Sequence, residues 1–128
     1  MARDKIAVQL PVQEATQSIE IKAFDKTTVA PANGIEIENA LDNKNNSLMI
    51  IIEPTTAGTV TFKATDEYPN GMLGDLVVTP TNNKVNAIIL EDISRFETKT
   101  GSICIDFAGS FAGKIYAVAK RAGFKTDY

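Results

Sequence analysis

The chain has 128 residues and a mass of 13.8 kDa, with 44% hydrophobic and 23% charged residues, a balance that supports one globular core rather than two domains or a disordered chain. A net charge of −3 and a pI near 4.9 give no general attraction for phosphates, which argues against nucleic acid as a partner. Histidine is absent and Cys104 is the single cysteine, so His-dependent nucleophile systems, His-ligated metals, Cys-cluster zinc and an intramolecular disulfide lack their groups; neither an enzyme nor a cofactor is expected.

The segment Met1-Ala-Arg-Asp-Lys5 leads into no long apolar stretch, so a cleaved signal is not visible and the expectation is a chain of cytosolic origin or one already trimmed. Lys5-Ile-Ala-Val-Gln-Leu10 is apolar and strand-like, but Pro11 interrupts any ladder, which predicts an edge strand or an extended arm over residues 1–17. Ile6, Val8, Leu10 and Val12 are its candidate docking residues, because an extended segment can add to a neighbour's sheet edge.

Fourteen Ile, eight Val and thirteen Thr against six Leu favour pleated strands over helices. Alternation then places strands in the body of the chain, residues 18–120. Ile19, Ile21 and Ala23 alternate with polar neighbours, as do Val60, Phe62 and Ala64, and then Ile103, Ile105 and Phe107. Weaker strands are Ile35–Glu38, Leu76–Thr79, Val85–Leu90 and Lys114–Ala119. The run Leu48–Glu53 reads as a strand buried on both faces, and it is far too short to cross a bilayer, so no membrane partner is expected. A helical alternative exists for Glu36–Leu41. Turn residues at Asn33-Gly34, Asp42 to Asn46, Pro54 to Gly58, Pro69-Asn70-Gly71, Pro80 to Asn83, Thr100-Gly101 and Gly109 to Gly113 separate these strands. The fold expected is therefore all-β: an antiparallel β-sandwich, immunoglobulin-like or jelly-roll-like, of about eight strands with an extended N-terminal arm and a tail at 121–128.

Several chemical motifs dissolve on inspection. Asp42 and Glu53 stand at the first and twelfth positions of a calcium-loop count, but Lys44 takes a ligand position and Ser47 replaces the turn glycine. Asp66-Glu67 and Glu91-Asp92 are paired in sequence, yet adjacent residues of an extended chain point apart. Lys114, Lys120 and Arg121 with Phe124 form a thin basic cluster, better suited to a solvated strand end or a salt-bridged subunit contact than to base stacking. More informative are apolar residues placed in turns: Tyr68, Met72 and Leu73 around Asn70-Gly71, and Phe111 between Gly109 and Gly113. They either cap the ends of the sandwich or form an anchoring patch for a partner, with Phe124 of the tail as a further candidate.

The order Ser47-Leu-Met-Ile-Ile-Ile-Glu53, Gly58-Thr-Val-Thr-Phe-Lys-Ala64, Tyr68-Pro-Asn-Gly-Met-Leu-Gly-Asp75, Leu76-Val-Val-Thr-Pro80, Ile88-Ile-Leu-Glu-Asp-Ile-Ser-Arg-Phe96, Gly101-Ser-Ile-Cys-Ile-Asp-Phe107 and Gly113-Lys-Ile-Tyr-Ala-Val118 resembles a family. It is similar to the small β-sandwich capsid decoration proteins and head-fibre anchors of tailed bacteriophages, over Gly34 to Lys120. The resemblance implies a structural virion protein made in the host bacterial cytoplasm that binds the outer surface of the head. Its partner would be the major capsid protein, and it would act singly or as a homo-oligomer such as a trimer. The alternative class is a carbohydrate-binding or adhesion module with Tyr68, Phe111, Tyr116 and Tyr128 as its aromatic platform.

Overall fold

The computed structural model describes residues 2–9, 24–38, 45–56, 58–66, 69–90 and 95–121. Among them, nine strands occur: β1 (Asp4–Gln9), β2 (Thr27–Thr28), β3 (Ile35–Glu38), β4 (Asn45–Thr56), β5 (Val60–Phe62), β6 (Leu76–Val78), β7 (Asn86–Leu90), β8 (Ile103–Phe107) and β9 (Ala112–Arg121). They form one path, β6-β5-β8-β3-β1-β9-β4-β7, with β2 added to β9. The molecule is all-β, and its sheet is mixed and curled.

Strand chemistry follows the two-residue period. In β8 the side chains of Ile103, Ile105 and Phe107 are buried while Cys104 and Asp106 lie half-buried on the other face. β3 and β5 repeat the pattern with Ile35 and Ile37, then Val60 and Phe62. These residues share one core with Leu48, Ile50 and Ile52 of β4 and with Ile115, Ala117 and Ala119 of β9, so the two halves of the path turn their inner faces to each other. β4 is covered on both faces, as its unbroken apolar run predicts. Its outward Ile51 joins Tyr116 and Val118 in a second, smaller cluster, against which Phe24 and Met49 pack. Phe24 stacks on Tyr116 with ring centroids 6.0 Å apart.

Pro54 sits inside β4, where a proline would normally break a ladder, and the register with β9 shifts between Pro54 and Thr56. Gly113 makes this crossing feasible. A Cβ there would come within 2.5 Å of the Glu53 carbonyl oxygen and 2.7 Å of the Pro54 Cα, so only a residue without a side chain lets the backbones approach.

Two expectations need correction. The sheet is not antiparallel throughout, because β1 runs parallel to β3 over Asp4–Ala7 and parallel to β9 over Val8–Gln9. For the same reason β1 is neither an edge strand nor a free arm: it is the internal strand that joins the two halves. Ile6 is buried in the main core and Val8 packs against it, so burial of these two side chains, not docking to a neighbour, accounts for the apolar character of the segment. Arg3 bonds the Ile105 carbonyl and pairs with Asp106, the Asn33 side chain bonds the Asp4 carboxylate, and Gln9 exchanges two bonds with the Asp25 backbone at 2.7 and 2.8 Å. The helical alternative for Glu36–Leu41 fails through Glu38, which is strand. Leu10, Val12, the expected strand at Ser18–Ala23 and the tail beyond Arg121 lie outside the described residues.

Candidate functional site

The chain between β5 and β6 builds the most distinctive surface. Leaving the core at Phe62, it stays tied to neighbouring backbone: the Lys63 amide donates to the Cys104 carbonyl and the Thr65 amide to the Arg95 carbonyl. It returns through a short 3-10 helix, Pro69–Leu73, where the sequence predicts a turn at Pro69-Asn70-Gly71. Gly74 then reverses the chain at φ +83° and donates its amide to the Gly71 carbonyl at 3.0 Å.

Three clamps fix this turn. The Asp75 carboxylate accepts the Ala64 amide at 2.7 Å and the Lys63 ammonium at 2.9 Å. Both contacts favour the charged form, so the Ala64 amide first and the Lys63 side chain second hold the Asp75 carboxyl below its ordinary value, while Asp75 pushes the Lys63 pKa up. Arg95 supplies the second clamp, donating from its Nε to the Gly74 carbonyl at 2.9 Å and from its second Nη to the Asp75 carbonyl at 3.2 Å, with its guanidinium 5.1 Å from the Phe96 ring. The third is close packing at Gly71, where a Cβ would lie 2.0 Å from the Thr65 carbonyl oxygen.

On this fixed turn stand Met72, 90% exposed, and Leu73, 67% exposed, followed by Val77 of β6 at 57%. Water solvates large apolar side chains poorly, so holding them out on a clamped backbone suits a platform for a partner. Sequence reading finds Met72, Leu73 and the turn at Gly71 but misses Val77, Asp75 and Arg95. The signal for Val77 is the pair Val77-Val78, which forces one valine out of the core in any strand; Asp75 and Arg95 give no local signal.

The other expected site residues separate from this platform. Phe111 is buried, 4.9 Å from the Phe107 ring, and Gly58 lies close enough that a Cβ there would touch it at 3.2 Å. Phe111 therefore closes the core and is not part of a surface patch, which corrects the expectation that it anchors a partner. Ile6 is a core residue of β1, and the half-buried Val8 packs against that core. Tyr68, Leu10, Val12 and Phe124 fall outside the described residues. Of the four rings of the aromatic platform, Phe111 and Tyr116 are buried, and Tyr68 and Tyr128 are not described.

Polar groups elsewhere hold structure together. Lys26 pairs with Glu53 at 3.0 Å and lies 5.8 Å over the Tyr116 ring; burial first, and Glu53 second, push the Tyr116 hydroxyl pKa up. Thr98, Thr100 and Ser102 join their hydroxyls at 2.7 to 3.2 Å and close the turn before β8. Burial also raises the Cys104 pKa, so its thiol is a poor nucleophile. An open groove of about 400 Å³ runs along Glu53, Pro54, Thr55, Asn83, Lys84, Val85 and Lys114, with both charges mixed along it. Among the described residues no group of three or more acidic or cysteine side chains is placed to hold a metal ion, and no helix is long and apolar enough to cross a membrane. Comparison with protein-family models, curated proteins and solved structures finds no match.

Proposed function

We propose that this protein is a non-enzymatic binding module, a capsid decoration protein that docks through Met72, Leu73 and Val77 on the outer surface of a tailed-phage head. The observation that carries the reading is the pair of nearly bare apolar side chains on a turn clamped by Asp75 and Arg95. The resemblance over Gly34 to Lys120 supplies the partner, the major capsid protein, and a virion location. Within this reading the two halves of the curled sheet are the layers of a sandwich whose antiparallel order β1 interrupts. Stabilisation would follow from linkage: a ligand that prefers the assembled shell lowers the shell's free energy by its own binding, repeated at every copy.

The test is co-sedimentation with heads of the encoding virus. Met72→Asp with Leu73→Asp should leave circular dichroism unchanged, because both side chains are already in water. Each buried side chain is worth about 1.5–3 kcal/mol, so occupancy should fall by about a hundredfold in affinity or more. Unchanged binding by the variant would remove the platform, and a wild-type chain that ignores the heads would remove the reading itself.

A further inference from the structure

The far end of the strand path presents a second surface, independent of the docking reading. β7 pairs with β4 on one side, and among the described residues no strand takes its other side. An open edge is a template for another chain, and proteins blunt it with brevity, charge, proline or a bulge. The opposite edge is blunted in this way: β6 has three residues, and Asp75, Lys63 and Arg95 crowd its start. β7 carries none of these devices. It has five residues, Asn86-Ala-Ile-Ile-Leu90, without charge or proline, and its register with β4 runs unbroken from Leu48↔Leu90 to Ile52↔Asn86.

The outward residues of this edge are apolar. Val85, just before the strand, is 61% exposed and Ile89 is 60% exposed, with the exposed Ala87 midway between them. The entry to the strand is also fixed. The Asn86 side chain accepts the Thr81 amide at 2.9 Å and donates to the Thr81 and Lys84 carbonyls at 3.0 and 2.9 Å, so little order remains to be gained on pairing.

We propose that two copies of this chain pair their β7 edges antiparallel about a twofold axis through Ala87, continuing one sheet into the next. In that register Val85 of each copy opposes Ile89 of the other, Asn86 opposes Ile88, and the two Ala87 residues meet at the axis. Two large apolar pairs thus flank a small central one, which is the self-complementarity an isologous contact needs. Lys84 falls opposite Leu90, so no like charges meet. A register centred one residue later, on Ile88, would leave Val85 without Ile89 as its partner. The ladder with its four apolar side chains is smaller than the roughly 1,000 Å² that marks a stable complex. The pair is therefore reversible and forms at high protein concentration or where copies are crowded.

The test uses the full chain with Cys104→Ser. Antiparallel partners at the axis have Cβ atoms about 4.5–5.5 Å apart, so Ala87→Cys should oxidise to a cross-linked dimer about tenfold faster than a cysteine placed at the exposed turn residue Thr81. Sedimentation equilibrium of the wild type should approach twice the 13.8 kDa chain mass as concentration rises. Ile89→Lys, or Val85→Lys as a second variant, should abolish that rise with circular dichroism unchanged. A mass of one or three chains at every concentration, cross-linking no faster than at Thr81, or a dimer indifferent to both lysines would overturn the proposal. These outcomes read pairing in the absence of heads, and the Met72 and Leu73 co-sedimentation test reads docking, so the failure of one is distinguishable from the failure of the other.

Discussion

Ile6→Ala separates a strand that holds the fold from an arm that decorates it. Ile6 is 7% exposed and belongs to the main core, in the strand that joins the two halves of the sheet. Truncation removes three buried carbons and leaves a cavity between β3 and β9, a loss of about 2–4 kcal/mol from transfer and void together. Total stability for a domain of this size is about 5–15 kcal/mol, so this is a substantial fraction. In urea, with a slope of about 1–3 kcal/mol per molar, the unfolding midpoint should fall by roughly 1–2 M at unchanged slope. Lys5→Ala is the control. Its side chain is exposed and its contact with Glu38 is 4.0 Å, so its effect should stay within about 0.5 kcal/mol. If Ile6→Ala is as mild as Lys5→Ala, β1 does not hold the halves together and the placement of the strand is wrong.

Two further outcomes concern the clamped turn. The Asp75 pKa is depressed in the folded protein, so its contribution to stability is complete above the unfolded value of 3.8 and is lost as pH falls through the lower folded value. Thermal melts of wild type and Asp75→Asn should therefore differ near neutral pH and converge in strong acid, and a constant gap would refute the assignment. Gly71→Ala forces a methyl onto the Thr65 carbonyl oxygen, a backbone atom that cannot swing aside. It should cost about 1–3 kcal/mol in denaturant melts and, under the proposed docking role, weaken head binding as well; a neutral effect on stability would mean the turn is not tightly packed.

Much of the β-structure is legible because alternation is a local signal. Ile103, Ile105 and Phe107 announce an inner face, and Leu48–Ile52 announces a strand covered on both sides; the structure places both as expected. The β1 strand is misread for a physical reason. Pro11 argues against continuing the ladder, but it follows the strand, and nothing local in Asp4–Gln9 reveals that β3 and β9 accept it in parallel from both sides. Pairing between distant segments leaves no period in the sequence. Phe111 is misread for another reason: a ring between glycines looks like an exposed loop residue, whereas the missing side chain at Gly58 opens the space that buries it. The platform is half legible. Met72 and Leu73 stand out as apolar residues in a turn, while the clamps from Asp75 and Arg95 bridge positions far apart in the chain.

The magnitudes link the two proposed surfaces. Covering Met72, Leu73 and Val77 yields about 1.5–3 kcal/mol for each side chain at full burial. Association itself costs about 4–15 kcal/mol, so one copy with this platform alone is held weakly, in the range where about 4 kcal/mol of net binding means a millimolar dissociation constant. Pairing through β7 changes that balance without any new contact to the shell, because the second platform of a docked pair finds its site at a local concentration of millimolar order. The arrangement is self-consistent only if pairing leaves the platform uncovered. The two surfaces use different strands and different side chains, Met72, Leu73 and Val77 at β6 and Val85 and Ile89 at β7, so variants of one leave the side chains of the other in place.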